Sequence, residues 1–493
     1  MPRWRCHLKP RVGTALLGLA TVLLLFVDLG QAYTSNVKLF GTASEATTND
    51  ALTAYSGNLY VAGRTGGALN GVSSNSDHGD AYLIKANSAG VAQWTSLTGA
   101  TRRRNNAEAT ARGTAFDTSG NAWVTVEVGA GCNPEDSGCG TKEWPNKESW
   151  AATITSSSDI GLMKINPSGV LQSVGTPLLG SANRRRGQSK TQAIAVDSSN
   201  NVWVAGHTQG NIGIGGDSSR TGKYDCFLLK YNSGGTAQVL TKIVQDSSSE
   251  YCYAFGMALD SSGNPWITGY TTGSLEGSSC AGTECVWLGK FANSDGSIIS
   301  SRFSVFGVSG YEIKGKGITI DTTTDDVWVV GQTQVGFDGQ TVTGTNNNAM
   351  LLKYNDAGVR QTGSTTLLGC SGGSTKCDNG AIAIDSSTGD IYIGGYTECN
   401  LDGNTLTGSR DAFLTKYSSS LVKQCTTLMG VSGQQTETFG AAVLSSGSGK
   451  AWFSGKAVGA GGTFGGQTIV GNTRARARPN DDMLPNPEVP DSL

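Results

Sequence analysis

The chain has 493 residues, 70 of them glycine, with only 15% charged and a net charge of −2. That weak negative balance excludes a globally basic nucleic-acid binder, and the wealth of Gly, Ser, Thr and Asn describes a turn-rich, all-β protein. One large repeat architecture accommodates this length more readily than ordinary domains of ~100–200 residues do.

The first 32 residues set the compartment. Arg3, Arg5, Lys9 and Arg11 precede an apolar run from Val12 to Val27, and Gly30 and Ala32 supply small side chains for a signal peptidase. The run is 16 residues long, short against the ~20 of a spanning helix. A cleaved signal peptide over 1–32 is therefore expected, with an uncleaved anchor as the alternative. Cleavage removes Cys6 and leaves ten cysteines, and 33 Lys/Arg against 38 Asp/Glu. An exported chain meets oxidising conditions, so disulfides are expected. No metal centre or cofactor is indicated, since His78 and His207 are the only histidines left and no C-x-x-C pair occurs.

Downstream, one hairpin recurs. AIAVDSSNNVWVAG (193–206), MALDSSGNPWITG (257–269), ITIDTTTDDVWVVG (318–331) and AIAIDSSTGDIYIGG (381–395) are close copies. Weaker copies end at 63, 126 and 455, so seven units recur about every 62 residues, one with an insertion of about 18. Between them lies a second hairpin that starts DAYLIKANSAG (80–90), DCFLLKYNSGG (225–235) or DAFLTKYSSS (411–420) and runs on to a short strand such as TTLLG. Each unit thus holds four short strands separated by turn residues. One such sheet cannot cover its own faces, and a closed ring of stacked sheets does so. The expectation is a seven-bladed β-propeller over 33–478, with 129–158 as an insertion in blade 2 and 479–493 a disordered tail.

The D-A-F-L-x-K-Y strand, the A-x-D-S-S-G-N turn and the W-V-x-G strand resemble the SBBP family of bacterial β-propeller repeats and are similar to the NHL repeat. FDGQTVTG (337–344), LDGNTLTG (401–408) and FGGQTIVG (464–471) match the family's linking loop, and the likeness spans roughly 37–476. It implies a propeller whose strands run a to d from the centre outwards, and it implies no catalytic motif. A lone strand Val37–Gly41 is then expected to complete the last blade as strand d, with Thr473–Arg478 a weak strand c. Glu127 stands where strand b is expected to carry glycine.

Strand direction puts the d→a and b→c loops on one variable face, where binding residues concentrate. Arg102, Arg103 and Arg104, with Arg184, Arg185 and Arg186, occupy equivalent d→a loops and suit an anion by forked hydrogen bonds. Trp144 and Trp150 in the insertion either stack on sugar rings or pack the insertion onto the ring. His207 and Glu127 complete the candidate ligand-binding set. Asp117, Asp197, Asp260, Asp321 and Asp385 recur at the a→b turn, as Asx-turn acceptors or as calcium ligands. The expected disulfides are Cys132–Cys139, Cys226–Cys252, Cys280–Cys285, Cys370–Cys377 and Cys399–Cys425. Together these readings suggest a secreted or cell-surface monomer that binds an anionic glycan or a protein, with a carbohydrate-active enzyme using loop-face carboxylates as the alternative.

Overall fold

The computed structural model describes residues 47–458 apart from 75–78, 100–107, 130–142, 145–151, 154–157, 181–188, 211, 213–222, 244–248, 345, 371–375 and 445–449, together with 22–28, 36–40, 463–464 and 467–468. The described residues form an all-β propeller. Blade 3 is typical: Ser189–Val196, Val202–Thr208, Asp225–Tyr231 and Ala237–Ile243 pair antiparallel in chain order, from the axis outwards. Blade 1 starts at Thr47, blade 4 at Cys252, blade 5 at Ile313 and blade 6 at Cys377, all with the same order. Blade 2 starts at Glu108, and its outer position is shared by two short pieces, Leu171–Gln172 and Leu178–Leu179.

Six blades are built in this way, each from one run of chain, and the expected count of seven is corrected to six. Among the described residues, the seventh hairpin, Gln435–Val443 with Lys450–Val458, has no third and fourth strands that follow it in the chain. It belongs to a composite sheet in which Val22–Asp28 pairs with Lys450–Val458, and Asn36–Phe40 pairs with Val22–Asp28. The reason lies in composition. VLLLFVD is an apolar, β-prone run, whereas Thr-Arg-Ala-Arg-Ala-Arg at 473–478, outside the described residues, offers three charges to a position between two strands.

The repeated turn motif has a physical account. In blade 2, Asp117 Oδ1 accepts from the N–H groups of Ser119 and Asn121, at 3.0 and 2.9 Å, while Trp123 Nε1–H donates to Asp117 Oδ2 at 3.2 Å. Lys164 Nζ then lies 4.7 Å from the Trp123 ring and 3.5 Å from Asp117. Lys290 does the same over Trp266 and Asp260 in blade 4, so the Asp, Trp and Lys of strands a, b and c form one unit. Burial pushes the Asp117 and Asp260 carboxyls up, but these hydrogen bonds and lysines outweigh it and hold both below the ordinary range. The hydrogen bonds support the Asx-turn reading of these aspartates. Between blades the core is continuous: Trp203 of blade 3 packs in one cluster with Ile267 and Trp287 of blade 4. The second strand of blade 3 is consequently buried at every residue.

Among the described residues, two of the expected disulfides are present. Cys226–Cys252 joins the third strand of blade 3 to the inner strand of blade 4, with Cα atoms 5.3 Å apart, and Cys280–Cys285 closes a short loop at 5.6 Å. The pairs Cys370–Cys377 and Cys399–Cys425 are corrected: Cys370 joins Cys399 at 5.8 Å, stapling blade 5 to blade 6. Cys377 lies on the inner strand of blade 6 as a buried thiol, and burial pushes its pKa well up. Cys132 and Cys139 lie outside the described residues. The three disulfides among the described residues suit an oxidising environment, and no described helix is long and apolar enough to cross a membrane.

Candidate functional site at the channel mouth

Every inner strand carries a β-bulge at one equivalent place, as does the inner strand of the composite sheet. A bulge adds one residue and re-aims its side chain. The added residues are Asp50, Arg112, Gln192, Phe255, Lys316, Gly380 and Phe439, all half-buried. Beside each bulge the second strand approaches closely. A Cβ on Gly206, Gly269, Gly331 or Gly395 would sit 1.7–2.0 Å from the carbonyl oxygen opposite, so only glycine fits there. The residues after those glycines, His207, Tyr270, Gln332 and Tyr396, form a second tier with Arg64, Glu127 and Lys456.

This register corrects one expectation. Val126, not Glu127, takes the glycine position in blade 2, facing Gly161 on the third strand. The other blades put a bulky residue there, such as Phe227 opposite Gly206. The Gly161 site is filled from outside by Trp144, whose ring would lie 3.1 Å from an added Cβ. Trp144, one of the candidate ligand contacts with packing as its other reading, is fully buried in the core of blades 1 and 2, and the burial favours packing. Trp150 and both arginine triplets lie outside the described residues.

The charges divide by sector. Between blades 1 and 2, Arg112 donates to Glu127 Oε2 at 2.8 Å and to Asp50 Oδ2 at 3.2 Å, and Ser158 Oγ–H donates to Glu127 Oε1 at 3.2 Å. Burial pushes both carboxyls up; for Asp50 it prevails, whereas Arg112 and Lys190 hold Glu127 below its ordinary range. Arg64 pairs with Glu108 at 3.0 Å. Across blades 4, 5 and 6, Lys314 pairs with Glu284 and Glu312, and Lys316 with Asp378. Arg410 bridges Glu398 and Glu437 over the Tyr396 ring, and Lys456 also reaches Glu437.

Blades 3 and 4 differ. Tyr251, just before the inner strand of blade 4, and Tyr253 and Phe255 within it stand at every second position, and their rings lie side by side. The rings of Tyr251 and Tyr253 are 6.0 Å apart at 5°, and those of Tyr253 and Phe255 are 6.2 Å apart at 20°. Tyr224 lies 5.7 Å from Tyr251, and Tyr270 backs Tyr253 at 4.8 Å. His207 stands edge-on to Tyr253 at 4.9 Å, buried and lowered to about 3 by its burial and by the neighbouring Lys190. It is neutral here, and its Nδ1 has no hydrogen-bond partner among the described residues. The aromatic ladder is absent from the sequence-based candidates. Its signal was present in the repeat phase: other inner strands place polar or charged residues there, such as Glu312, Lys314 and Lys316.

No protein-family pattern matches the chain, and no curated protein does. Among solved structures, a protein of unknown function from Dyadobacter fermentans is 9% identical, with 79% of this chain and 97% of that one covered at a TM-score of 0.41. The polysaccharide lyase Uly1 is 11% identical over 90% and 99%, with a TM-score of 0.38. A luciferin-regenerating enzyme is 11% identical over 91% and 99%, with a TM-score of 0.34. Likenesses this distant decide nothing about chemistry at the mouth.

Proposed function

We propose that the protein is an extracellular glycan-binding module whose ligand lies across the mouth of blades 3 and 4. The observation that carries this reading is the ladder of Tyr251, Tyr253 and Phe255, three near-parallel rings with Tyr251 and Phe255 partly exposed. Flat aromatic faces give large contact area at little conformational cost and suit the C–H faces of sugar rings. The disulfides support an extracellular setting. The alternative, an enzyme acting through loop-face carboxylates, is less well supported, because Glu127 and Asp50 are both engaged by Arg112.

The test is affinity electrophoresis of the purified chain in gels containing single polysaccharides. Retardation of the wild type, abolished in Tyr251→Ala/Phe255→Ala with an unchanged circular dichroism spectrum, supports the reading. Retardation that survives the double substitution overturns the ladder as its basis. A chain retarded by no polysaccharide but captured by a protein partner overturns the glycan itself.

A further inference from the structure

We infer that the glycan is acidic, its anionic groups held by Lys190 and Lys223 on either side of the aromatic ladder. This rests on the glycan-binding reading above. At the mouth Arg64, Arg112, Lys314, Lys316, Arg410 and Lys456 each have a carboxylate partner. Lys190 and Lys223 form no ion pair among the described residues.

Both flank the rings. Lys190 faces His207 across the register of blade 3, and His207 meets Tyr253 at 4.9 Å and Tyr224 at 5.6 Å. Lys223 precedes Tyr224, and its Nζ lies 5.0 Å from the Tyr251 ring centroid. The sequence of groups across the mouth is therefore ammonium, neutral imidazole, stacked rings, ammonium. His207 adds no charge of its own. Glu127, whose carboxyl Lys190 helps to hold down, has its two oxygens taken by Arg112 and Ser158. Lys190 is half-buried, so water solvates it incompletely. A carboxylate or sulfate on a sugar that stacks against the ladder would complete it, with a charge-assisted hydrogen bond stronger than a neutral one.

The experiment compares polygalacturonate, the same polymer fully methyl-esterified, and heparin, at two salt concentrations. Polygalacturonate and heparin offer the two anion chemistries, and esterification removes charge without changing the sugar backbone. Binding to one acidic polymer at least tenfold tighter than to the ester is expected, as is weakening in high salt. Lys190→Ala/Lys223→Ala should lose about tenfold toward the acidic polymer, as two partly exposed ion pairs imply, and should bind the ester as the wild type does. Which acidic polymer binds identifies the anion.

Equal affinity for polygalacturonate and its ester, with no binding of heparin, overturns the inference and leaves the glycan reading standing. Undiminished acidic-polymer binding by the lysine variant also overturns it. The outcome is the same if only alanines at Arg102–Arg104 and Arg184–Arg186 weaken binding. A wild-type chain that binds none of the three polymers defeats both readings.

Discussion

Two sectors of one ring have different duties. Across blades 5 and 6 and the composite sheet, Arg410, Glu398, Glu437 and Lys456 satisfy one another, and with Lys316 and Asp378 they tie neighbouring inner strands together. Across blades 3 and 4, rings lie against rings, and the two lysines form no ion pair among the described residues. A dense charge cluster that is internally paired belongs to the scaffold. A sparse one beside exposed aromatic rings is where a ligand gains most.

The sharpest way to break this contrast is to disrupt the paired sector. Arg410→Ala leaves the buried Glu437 carboxylate without its guanidinium and should cost about 3 kcal/mol of stability by urea unfolding. Glycan affinity should not change. A stable Arg410→Ala protein with altered affinity would reverse the two assignments.

A smaller effect is expected from pH. His207 is held near 3 in the folded chain against an ordinary value of 6.5, so the unfolded chain binds a proton first as pH falls. Its contribution is fully present above pH 6.5 and is lost progressively between 6.5 and about 3, at no more than about 1.4 kcal/mol per pH unit. His207→Phe should flatten the stability profile between pH 6.5 and about 5, above the range in which Asp117 and Asp260 begin to be protonated. Those depressed aspartates contribute stability above the ordinary carboxylate range and lose it as pH falls through their folded values. An unaltered profile in His207→Phe would show that the imidazole is not depressed in the folded chain.

The least perturbing change is Lys190→Ala. With no ion pair to lose among the described residues, it should alter stability by less than about 0.5 kcal/mol in the same urea titration. A loss comparable to that of Arg410→Ala would place Lys190 in the scaffold.

Much of the fold was legible because it repeats. The Asp of the turn, the Trp of the second strand and the Lys of the third recur in sequence since they meet in space, as Asp117, Trp123 and Lys164 do. The blade count was not legible from inner hairpins alone. A hairpin such as Gln435–Val443 with Lys450–Val458 is one half of a unit, and its other half need not follow it. Cysteine spacing failed for a related reason. Cys370 and Cys377 are close in the chain, but Cys377 turns into the core of the inner strand, while Cys399 meets Cys370 from the next blade. Trp144 reads either way in the sequence, because the room it fills is left by Gly161, a residue on another strand. The ladder was missed because aromatic residues in a β-rich chain read as core unless each repeat is aligned by phase.

The bulges have a consequence for engineering. In blades 2, 3 and 4 the Asp, Trp and Lys unit lies at one end of the blade and the bulge near the other, so the groups that hold these blades together are separate from those that could meet a ligand. At Gln192, Phe255, Gly380 and Phe439 the bulge residue carries no ion pair among the described residues, and nature has already installed an amide, two phenyl rings and a bare backbone there. A combinatorial library randomised at those four codons would search recognition space on a fixed frame, with few clones lost to misfolding.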